Sequence, residues 1–252
     1  RQVVGVGILL SASLLVTALG DSEISFMEGF RIRFGSGSNL LPEPEDADAL
    51  LAMLENPVLR AVPSVQEPGW TSVGYNLIVD PDCRSQLGAS PENLARGILR
   101  SLRAVGSCLL ERDSTARQRD GRRILGLVRP GGVRFRRDVD DFRAFRVFCD
   151  SEEEASLHAG AGALAYTERW WGDHYPAINL ISDGFVDFGV PNWITLHETA
   201  GHEALHLLGY FHDGSSIDVP YLAEACCLNE EPDAVACRLL DTARSSATAS
   251  YG

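Results

Sequence analysis

Lysine is absent from this chain of 252 residues, and its 22 basic residues, all arginine, are outnumbered by 35 acidic ones, giving a net charge of −13. A nucleic-acid backbone is held by clustered cations, so this shortage of positive charge argues against a general nucleic-acid binder. The sequence has no internal repeat, which excludes collagen and coiled-coil architectures. Methionine occurs only twice. With 45% apolar and 23% charged residues, the composition is that of a globular protein rather than a disordered polyelectrolyte or a multi-span membrane protein.

One long stretch, residues 2–20, carries no charge and follows Arg1. A basic residue before a run rich in leucine and valine is typical of a secretory signal, and Ala18 and Gly20 supply the small residues of a cleavage site. A single membrane anchor and a buried pair of strands are the alternatives for this stretch. We expect a signal peptide over residues 1–20, and a secreted or extracytoplasmic protein without stable membrane insertion once that leader is removed.

The six cysteines include no CxxC pair, which disfavours a thiolate zinc knuckle and suits disulfide bonds in an oxidising compartment. Their pairing stays open, and buried free thiols are the alternative. Cys226 and Cys227 are adjacent, and a bond between them would strain the intervening peptide, so we do not expect one.

The composition changes near Trp70. Residues 21–69 include an acidic, proline-bearing stretch at 41–48 and are interpreted as a pro-segment or linker, with a short amphipathic helix expected over 49–59. From Trp70 onward the strand and helix patterns alternate. Residues 70–252 therefore have the size and pattern expected of a single domain.

Local signals predict several elements in this domain. Ser90 followed by Pro91 is an N-cap with proline at the first helical position, so a helix is expected to begin there. The arginine-rich stretch 112–123 is expected to be a charged loop, and Pro130 with the two glycines after it is expected to turn a hairpin. Strands are expected at 73–79, 124–128, 133–137, 142–148 and 177–182.

Positive charge is concentrated in residues 96–146, which hold fourteen of the arginines against six acidic residues. Arginines spread through strands and turns usually form a solvated face that pairs with acidic residues elsewhere, and we favour that interpretation. A binding face is the alternative.

The strongest chemical signal is the segment HEALH, in which His202 and His206 are four residues apart. On a helix, residues with this spacing project from the same face, so the two imidazoles can share one metal ion. Glu203 lies one step round the helix, where a general base for a metal-activated water is required. His197 is five residues before His202 and points away from it, which favours a structural role.

The segment continues with Gly209 and His212. Glycine adopts a positive φ without steric cost, so the helix can stop there and the chain can turn back to present His212 as a third ligand. Three nitrogen ligands leave one tetrahedral position for water, which is the arrangement of a catalytic zinc site rather than a structural one.

The full pattern HExxHxxGxxH, followed by Asp213, resembles the signature of the metzincin clan of zinc endopeptidases, and the aspartate resembles the adamalysin or reprolysin branch. The resemblance is tight in this segment and elsewhere extends only to order and size. It implies an α+β zincin with a twisted mixed sheet, long helices and a smaller C-terminal subdomain, whose last helix would start near Pro232. It also implies a sheet edge at 160–167 or 177–182, to which an extended peptide adds as a strand.

The resemblance implies a secreted endopeptidase that binds Zn²⁺ and hydrolyses protein or peptide substrates, with residues 70–252 as its catalytic domain. A Met-turn methionine below the metal is expected in this clan, but Met27 and Met53 both lie far upstream. Cys226 and Cys227 follow His212 and could supply a sulfur there instead, unless both are disulfide partners.

Two other functions remain open. In a gluzincin-type peptidase the third ligand would be a downstream glutamate, for which Glu224, Glu230 and Glu231 are available. A non-catalytic secreted domain could bind zinc for structure or adhesion, although such a site needs no base at Glu203. The oligomeric state is open from sequence.

Overall fold

A computed structural model of the chain describes residues 22–26, 30–34, 46–55, 70–129, 133–134, 142–151, 153, 163–169, 176–181, 186–187, 190–210, 212 and 217–243. The leader predicted over residues 1–20 lies outside these described residues. Among the described residues, no helix combines the length and the apolar composition that crossing a membrane requires.

Helices and strands both contribute to the described part of the chain, and a π-helical turn at Glu224–Leu228 directly follows one of the helices. The helices are α1 Ala47–Glu55, α2 Cys83–Leu87, α3 Pro91–Leu110, α4 Thr115–Gly126, α5 Trp193–Leu207, α6 Val219–Ala223 and α7 Ala234–Thr242. The strands are β1 Ser22–Phe26, β2 Phe30–Phe34, β3 Thr71–Gly74, β4 Leu77–Val79, β5 Val133–Arg134, β6 Phe142–Arg143, β7 Phe145–Asp150, β8 Ala165–Arg169, β9 Pro176–Ile181, β10 Val186–Asp187 and β11 Val190–Pro191.

Seven of these strands form one mixed sheet in the order β1-β2-β8-β9-β7-β4-β3. The pairs β2/β8, β9/β7 and β7/β4 are parallel, and the other neighbours are antiparallel. Helices α3, α4 and α5 pack together, and their apolar faces share one buried core with β4, β7 and β9. The α+β class expected from the sequence is therefore confirmed.

Of the two sheet edges expected, the one at 177–182 is wrong, because β9 is hydrogen-bonded to both β8 and β7. The edge expected at 160–167 stays a prediction, because among the described residues β2 pairs with β8 only at Glu168 and Arg169, beyond that range. The β1–β2 hairpin reaches β8 through the parallel pairs Arg31 with Glu168 and Ile32 with Arg169. This hairpin comes from the segment 21–69, whose interpretation as a pro-segment or linker stays a prediction.

The single strand expected at 73–79 is instead a tight hairpin. Tyr75 and Asn76 have φ values of 51° and 59°, and they reverse the chain between β3 and β4. Two successive positive φ values are typical of the type I′ turn, whose twist matches that of the flanking strands. Tyrosine rarely adopts this conformation, so the residue type concealed the turn.

Helix α3 begins where the sequence predicts. The Ser90 hydroxyl accepts a hydrogen bond from the Asn93 backbone N–H at 3.2 Å, and Pro91 is the first helical residue. Helix α1 is also present, although it begins at Ala47 rather than at residue 49. Strand β9 coincides closely with the strand expected at 177–182.

The charged loop expected at 112–123 and the strand expected at 124–128 are wrong, because α4 occupies most of both. This helix packs against α3 at two glycines: a Cβ on Gly121 would lie 2.8 Å from the Gly106 carbonyl oxygen. The helix buries Ile124 and Leu125, and also Arg117 and Asp120. Sequence periodicity missed it because its buried face includes a charged pair.

The prediction that the arginines of residues 96–146 form a solvated face paired with acidic residues elsewhere holds for some of them. Arg103 pairs with Glu55 and Arg129 with Asp46, on other parts of the chain; Glu55 and Arg129 are exposed, and Arg103 and Asp46 are half-buried. Arg117 departs from it, since the residue is 0% exposed.

Three disulfide bonds pair all six cysteines. Cys83 in α2 is bonded to Cys149 in β7, Cys108 in α3 to Cys227, and Cys226 to Cys237 in α7. The adjacent Cys226 and Cys227 therefore have different partners, as expected. The π-helical turn that carries them is tied covalently to helices on two sides.

The close approach of α3 and α4 predicts that Gly121→Ala destabilises the fold. The added methyl would meet backbone atoms, which cannot move aside without displacing a helix, so we expect a loss of about 1–3 kcal/mol in the free energy of unfolding. Gly97→Ala is the matched control, because its added methyl would meet only side-chain atoms, the nearest at 3.3 Å from Leu196. We expect the control to lie within about 1 kcal/mol of wild type. Denaturant titration with the disulfides intact measures both, and equal losses would contradict the prediction.

Candidate metal centre

Helix α5 carries the first two histidines of the site on one face. The helix is capped by Asn192, whose side-chain oxygen accepts a hydrogen bond from the Thr195 N–H at 3.2 Å. His202 and His206 are both buried, one turn apart. The spacing of four residues thus places the two imidazoles as the sequence predicts.

A glycine turn brings in the third histidine. Helix α5 ends at Leu207, and Gly209 has a φ of 94°, a conformation that glycine adopts without a steric penalty. The chain reverses there, as predicted, and His212 returns toward the helix. Its Nε2 atom lies 3.1 Å from that of His202 and 3.2 Å from that of His206.

The opposite nitrogen of each imidazole faces a hydrogen-bond acceptor. Nδ1 of His202 lies 2.9 Å from a Glu224 carboxylate oxygen, and Nδ1 of His212 lies 2.7 Å from Asp218. Nδ1 of His206 lies 2.7 Å from the backbone carbonyl oxygen of Tyr210. These acceptors can bond only to a protonated nitrogen, so each neutral imidazole carries its proton on Nδ1 and a lone pair on Nε2.

Three lone pairs consequently converge on one point, and the three histidines could together hold a metal ion. Without a cation or a proton between them, neutral nitrogen acceptors at these separations repel each other. Two buried carboxylate oxygens beside the histidines, Oε2 of Glu203 and Oδ1 of Asp218, also have no hydrogen-bond partner in the described part of the chain. Both observations fit a site built around a positive charge.

Glu203 is buried beside the histidines, on the same helix. Burial raises its pKa to about 8, although a hydrogen bond with the Thr167 side chain favours the ionised form. A divalent cation close by would favour the carboxylate and oppose the effect of burial. Burial acts on His206 in the opposite direction: it lowers the pKa of this imidazole well below the usual range, and the neighbouring His202 adds to the effect. His206 is thus held neutral, as a metal ligand must be.

An aromatic ring borders the site on its exposed side. Tyr221 stacks on His212 with ring centroids 4.5 Å apart and meets His202 edge-on at 4.8 Å. Its side chain is more than half exposed. It belongs to α6, which follows directly after Asp218.

The site depends on close packing behind the helix. A Cβ on Gly201 would lie 2.5 Å from Leu228 and 3.0 Å from the Ser101 hydroxyl. Glycine at this position therefore lets the π-helical turn and α3 approach the residue that precedes His202. Because Glu224 begins this turn, its distance from His202 is set by the same packing.

The structure brings together His202, His206 and His212, the three residues that the sequence proposes for metal binding. Glu203, the proposed base, is buried on the same helix, next to His202 in the chain. Cys226 and Cys227 are both disulfide partners, which is the alternative to a sulfur that replaces the Met-turn methionine. Neither is a free thiol.

Other residues weighed in the sequence lie differently. His197 is on α5 outside the histidine cluster, and its backbone carbonyl accepts a hydrogen bond from Ser101. Glu224 is near the metal ligands, but on the Nδ1 side of His202, away from the point where the Nε2 atoms converge. Glu230 and Glu231 are exposed.

Sequence reasoning missed Asp218, Thr167 and the backbone role of Tyr210. Asp218 follows His212 by six residues and is buried at the start of α6. A search for acidic residues close after His212 could have identified it as an imidazole partner. No local signal links Thr167 to Glu203, because the two residues meet only where β8 packs on α5.

Loss of the charge at Asp218 is expected to weaken metal binding. In Asp218→Asn the imidazole of His212 loses its anionic partner, and changes of this kind typically cost about 10–100-fold in metal affinity. Asp241→Asn is the control, because Asp241 lies in α7 and pairs with Arg112 rather than with a histidine. Competition against a chromophoric chelator measures the affinity of each variant. Equal affinity in Asp218→Asn and wild type would contradict the expectation.

Comparison with known proteins gives no guide to this site. No protein-family model, curated protein or solved structure matches the chain. The function of the site has to be inferred from the geometry of its own residues.

Proposed function

We propose that this chain is a zinc-dependent endopeptidase of the metzincin type, exported from the cytoplasm, that hydrolyses peptide bonds in protein or peptide substrates. The observation that carries the proposal is the convergence of three imidazole Nε2 atoms, with the buried Glu203 next to His202 on the same helix. A site with three neutral nitrogen ligands and an adjacent base is the donor set of a hydrolytic zinc centre.

The spacing of the three nitrogens suits zinc. Zinc–nitrogen bonds of about 2.0–2.1 Å at tetrahedral angles separate the nitrogens by about 3.3 Å. The two separations from His212 Nε2, 3.1 and 3.2 Å, are within a few tenths of an ångström of this value. The Nδ1 partners fix the tautomer and the ring orientation that such binding requires.

Zinc held by His202, His206 and His212 would act as a Lewis acid toward water and toward the carbonyl oxygen of the scissile bond. The protein's part is to move the proton. As a carboxylate, Glu203 takes a proton from the attacking water and then returns it to the nitrogen of the leaving amine, so that no net charge is left behind. The Thr167 hydroxyl holds this carboxyl group in place.

The proposed export rests on the disulfides. Three disulfide bonds form and persist in an oxidising compartment, which agrees with the signal peptide expected at residues 1–20. A separate point concerns the substrate: the net charge of −13 favours protein substrates over nucleic acid, whose phosphates the overall negative field would repel.

The geometry favours this proposal over its two alternatives. For a gluzincin-type site, the glutamate close to the histidines is Glu224, and it faces the Nδ1 of His202 rather than the Nε2 cluster. A purely structural zinc site would need no base, yet Glu203 lies buried beside the ligands with an unpartnered oxygen. Addition of a substrate strand at residues 165–167 of β8 is compatible with the sheet, because among the described residues β2 pairs with β8 only at Glu168 and Arg169.

Replacing the base should separate metal binding from catalysis. Glu203→Gln keeps the shape of the side chain but cannot accept the proton, so we expect turnover of a generic protein substrate to fall by at least about 10² while one zinc ion per chain is retained. Wild-type activity should disappear when the metal is removed by a chelator and return when zinc is added.

The matched control for this experiment is Glu92→Gln. Glu92 is exposed in the first turn of α3 and lies outside the histidine cluster, so both activity and zinc content should stay at wild-type levels. Full activity of Glu203→Gln would rule out the assigned base, and zinc binding without any hydrolysis by wild type would favour the non-catalytic alternative.

The third ligand can be tested in the same way. His212→Ala removes one of three nitrogens, and we expect zinc affinity to drop steeply, whereas Glu230→Ala should bind zinc like wild type because Glu230 is exposed. Metal analysis after dialysis against a buffered zinc concentration measures both variants. The reverse order of affinities would support the gluzincin arrangement.

A further inference from the structure

Tyr210 links the proposed metal ligands to a charged pair in the core. Its backbone carbonyl oxygen is the acceptor for Nδ1 of His206, at 2.7 Å. The residue follows Gly209, whose φ of 94° ends the helix, and it precedes His212 by two positions. The orientation of this one peptide therefore affects two of the three ligands.

The side chain of Tyr210 is buried, with 4% of its surface exposed, and its hydroxyl donates a hydrogen bond to Asp120 Oδ2 at 2.6 Å. Burial and the negative charge of Asp120 both raise the pKa of Tyr210, so the phenol keeps its proton and remains a donor. The guanidinium of Arg117 lies 5.0 Å from the centre of the ring.

Asp120 forms an ion pair in the core. Nη1 of Arg117 lies 3.1 Å from the same Oδ2 atom, and Nη2 of Arg117 donates a hydrogen bond to the Ala243 carbonyl oxygen at 3.4 Å, at the end of α7. Both charged residues belong to α4, which is locked against α3 by the close approach at Gly121. The carboxylate that receives the tyrosine hydroxyl thus belongs to a fixed part of the core.

A peptide just beyond a helix end has few hydrogen bonds to hold its orientation, and Tyr210 lies in such a turn. Its N–H reaches the Leu205 carbonyl oxygen only at 3.4 Å. The hydroxyl bond to Asp120, at 2.6 Å, is therefore the shorter of these two anchors of Tyr210, and it fixes the residue that carries the carbonyl group.

We propose that Tyr210 is a positioning residue for the metal centre: its hydroxyl bond to Asp120 holds the backbone carbonyl that orients His206. The inference rests on the proposed function, because it assumes that the three histidines bind zinc. It adds a connection between α4 and the site that the signature does not contain.

The test is the rate at which zinc leaves the folded protein. In Tyr210→Phe the ring stays but the hydroxyl is lost, and we expect zinc to transfer to excess chelator about tenfold faster, as for other groups that orient a ligand. The visible spectrum of the cobalt-substituted protein should change as well, because it reports ligand geometry. A merely structural role would leave this spectrum unaltered.

Tyr166→Phe is the matched control. Tyr166 is also a tyrosine with 4% exposure that donates to an aspartate, Asp150, but it lies in the sheet and packs with Ile181 in a buried cluster separate from the core that contains Tyr210. Its variant should release zinc at the wild-type rate.

Asp120→Asn separates positioning from stability. Asparagine can still accept the hydrogen bond from Tyr210, but the buried Arg117 loses its counter-ion. We therefore expect Asp120→Asn to lower the melting temperature more than Tyr210→Phe does, yet to release zinc more slowly than that variant. If the variant with the lower melting temperature, Asp120→Asn, also releases zinc faster than Tyr210→Phe, zinc release reflects stability alone, and the inference is overturned.

The possible failures are distinguishable. If wild type retains zinc and Tyr210→Phe releases it at the same rate with an unchanged cobalt spectrum, the positioning role is wrong while the proposed function stands. If Tyr166→Phe also releases zinc faster than wild type, the effect is not specific to Tyr210, and the positioning role is again wrong while the proposed function stands. If wild type binds no zinc, the proposed function fails and the positioning role fails with it.

Discussion

The hydrogen bonds at the three Nδ1 atoms are the interaction on which the rest of this site depends. In each of them Nδ1 carries the proton and donates it to Glu224, Asp218 or the Tyr210 carbonyl oxygen, so the lone pair of the imidazole is on Nε2, which faces the other two histidines. Convergence of lone pairs is unfavourable by itself and has to be enforced by the surrounding structure. The glycine turn, α6 and the π-helical turn each supply one of these acceptors, so the chain after α5 is organised around the imidazoles.

Covalent and steric constraints keep those acceptors at the right distance. The π-helical turn that begins with Glu224 is bonded through Cys227 to α3 and through Cys226 to α7. Leu228 fits against Gly201, where any side chain would collide with it. A centre that holds together repelling groups needs such rigid support, because a loosely packed turn would relax and let the imidazoles separate.

Burial acts on the acidic and the basic groups of the site in opposite directions. It holds His206 neutral by lowering the pKa of the imidazole, and it raises the pKa of Glu203 toward the neutral range. Neutral imidazoles are ready to bind a cation without first losing protons, whereas a carboxyl group with a raised pKa depends on that cation to stay ionised. Under the proposed function, metal binding would therefore also prepare the base.

The sequence alone determined the local geometry: two histidines four residues apart share a helix face, Gly209 permits the reversal that returns His212, and Ser90 with Pro91 starts a helix. Each of these follows from backbone geometry within a few residues. Tertiary structure decided the acceptors of Nδ1 and the burial of Asp120. With 35 acidic residues in the chain, their spacing does not tell which carboxylates meet an imidazole and which are solvated. Helix α4 was missed for the same reason, because its buried face carries a charged pair that only packing against Tyr210 explains.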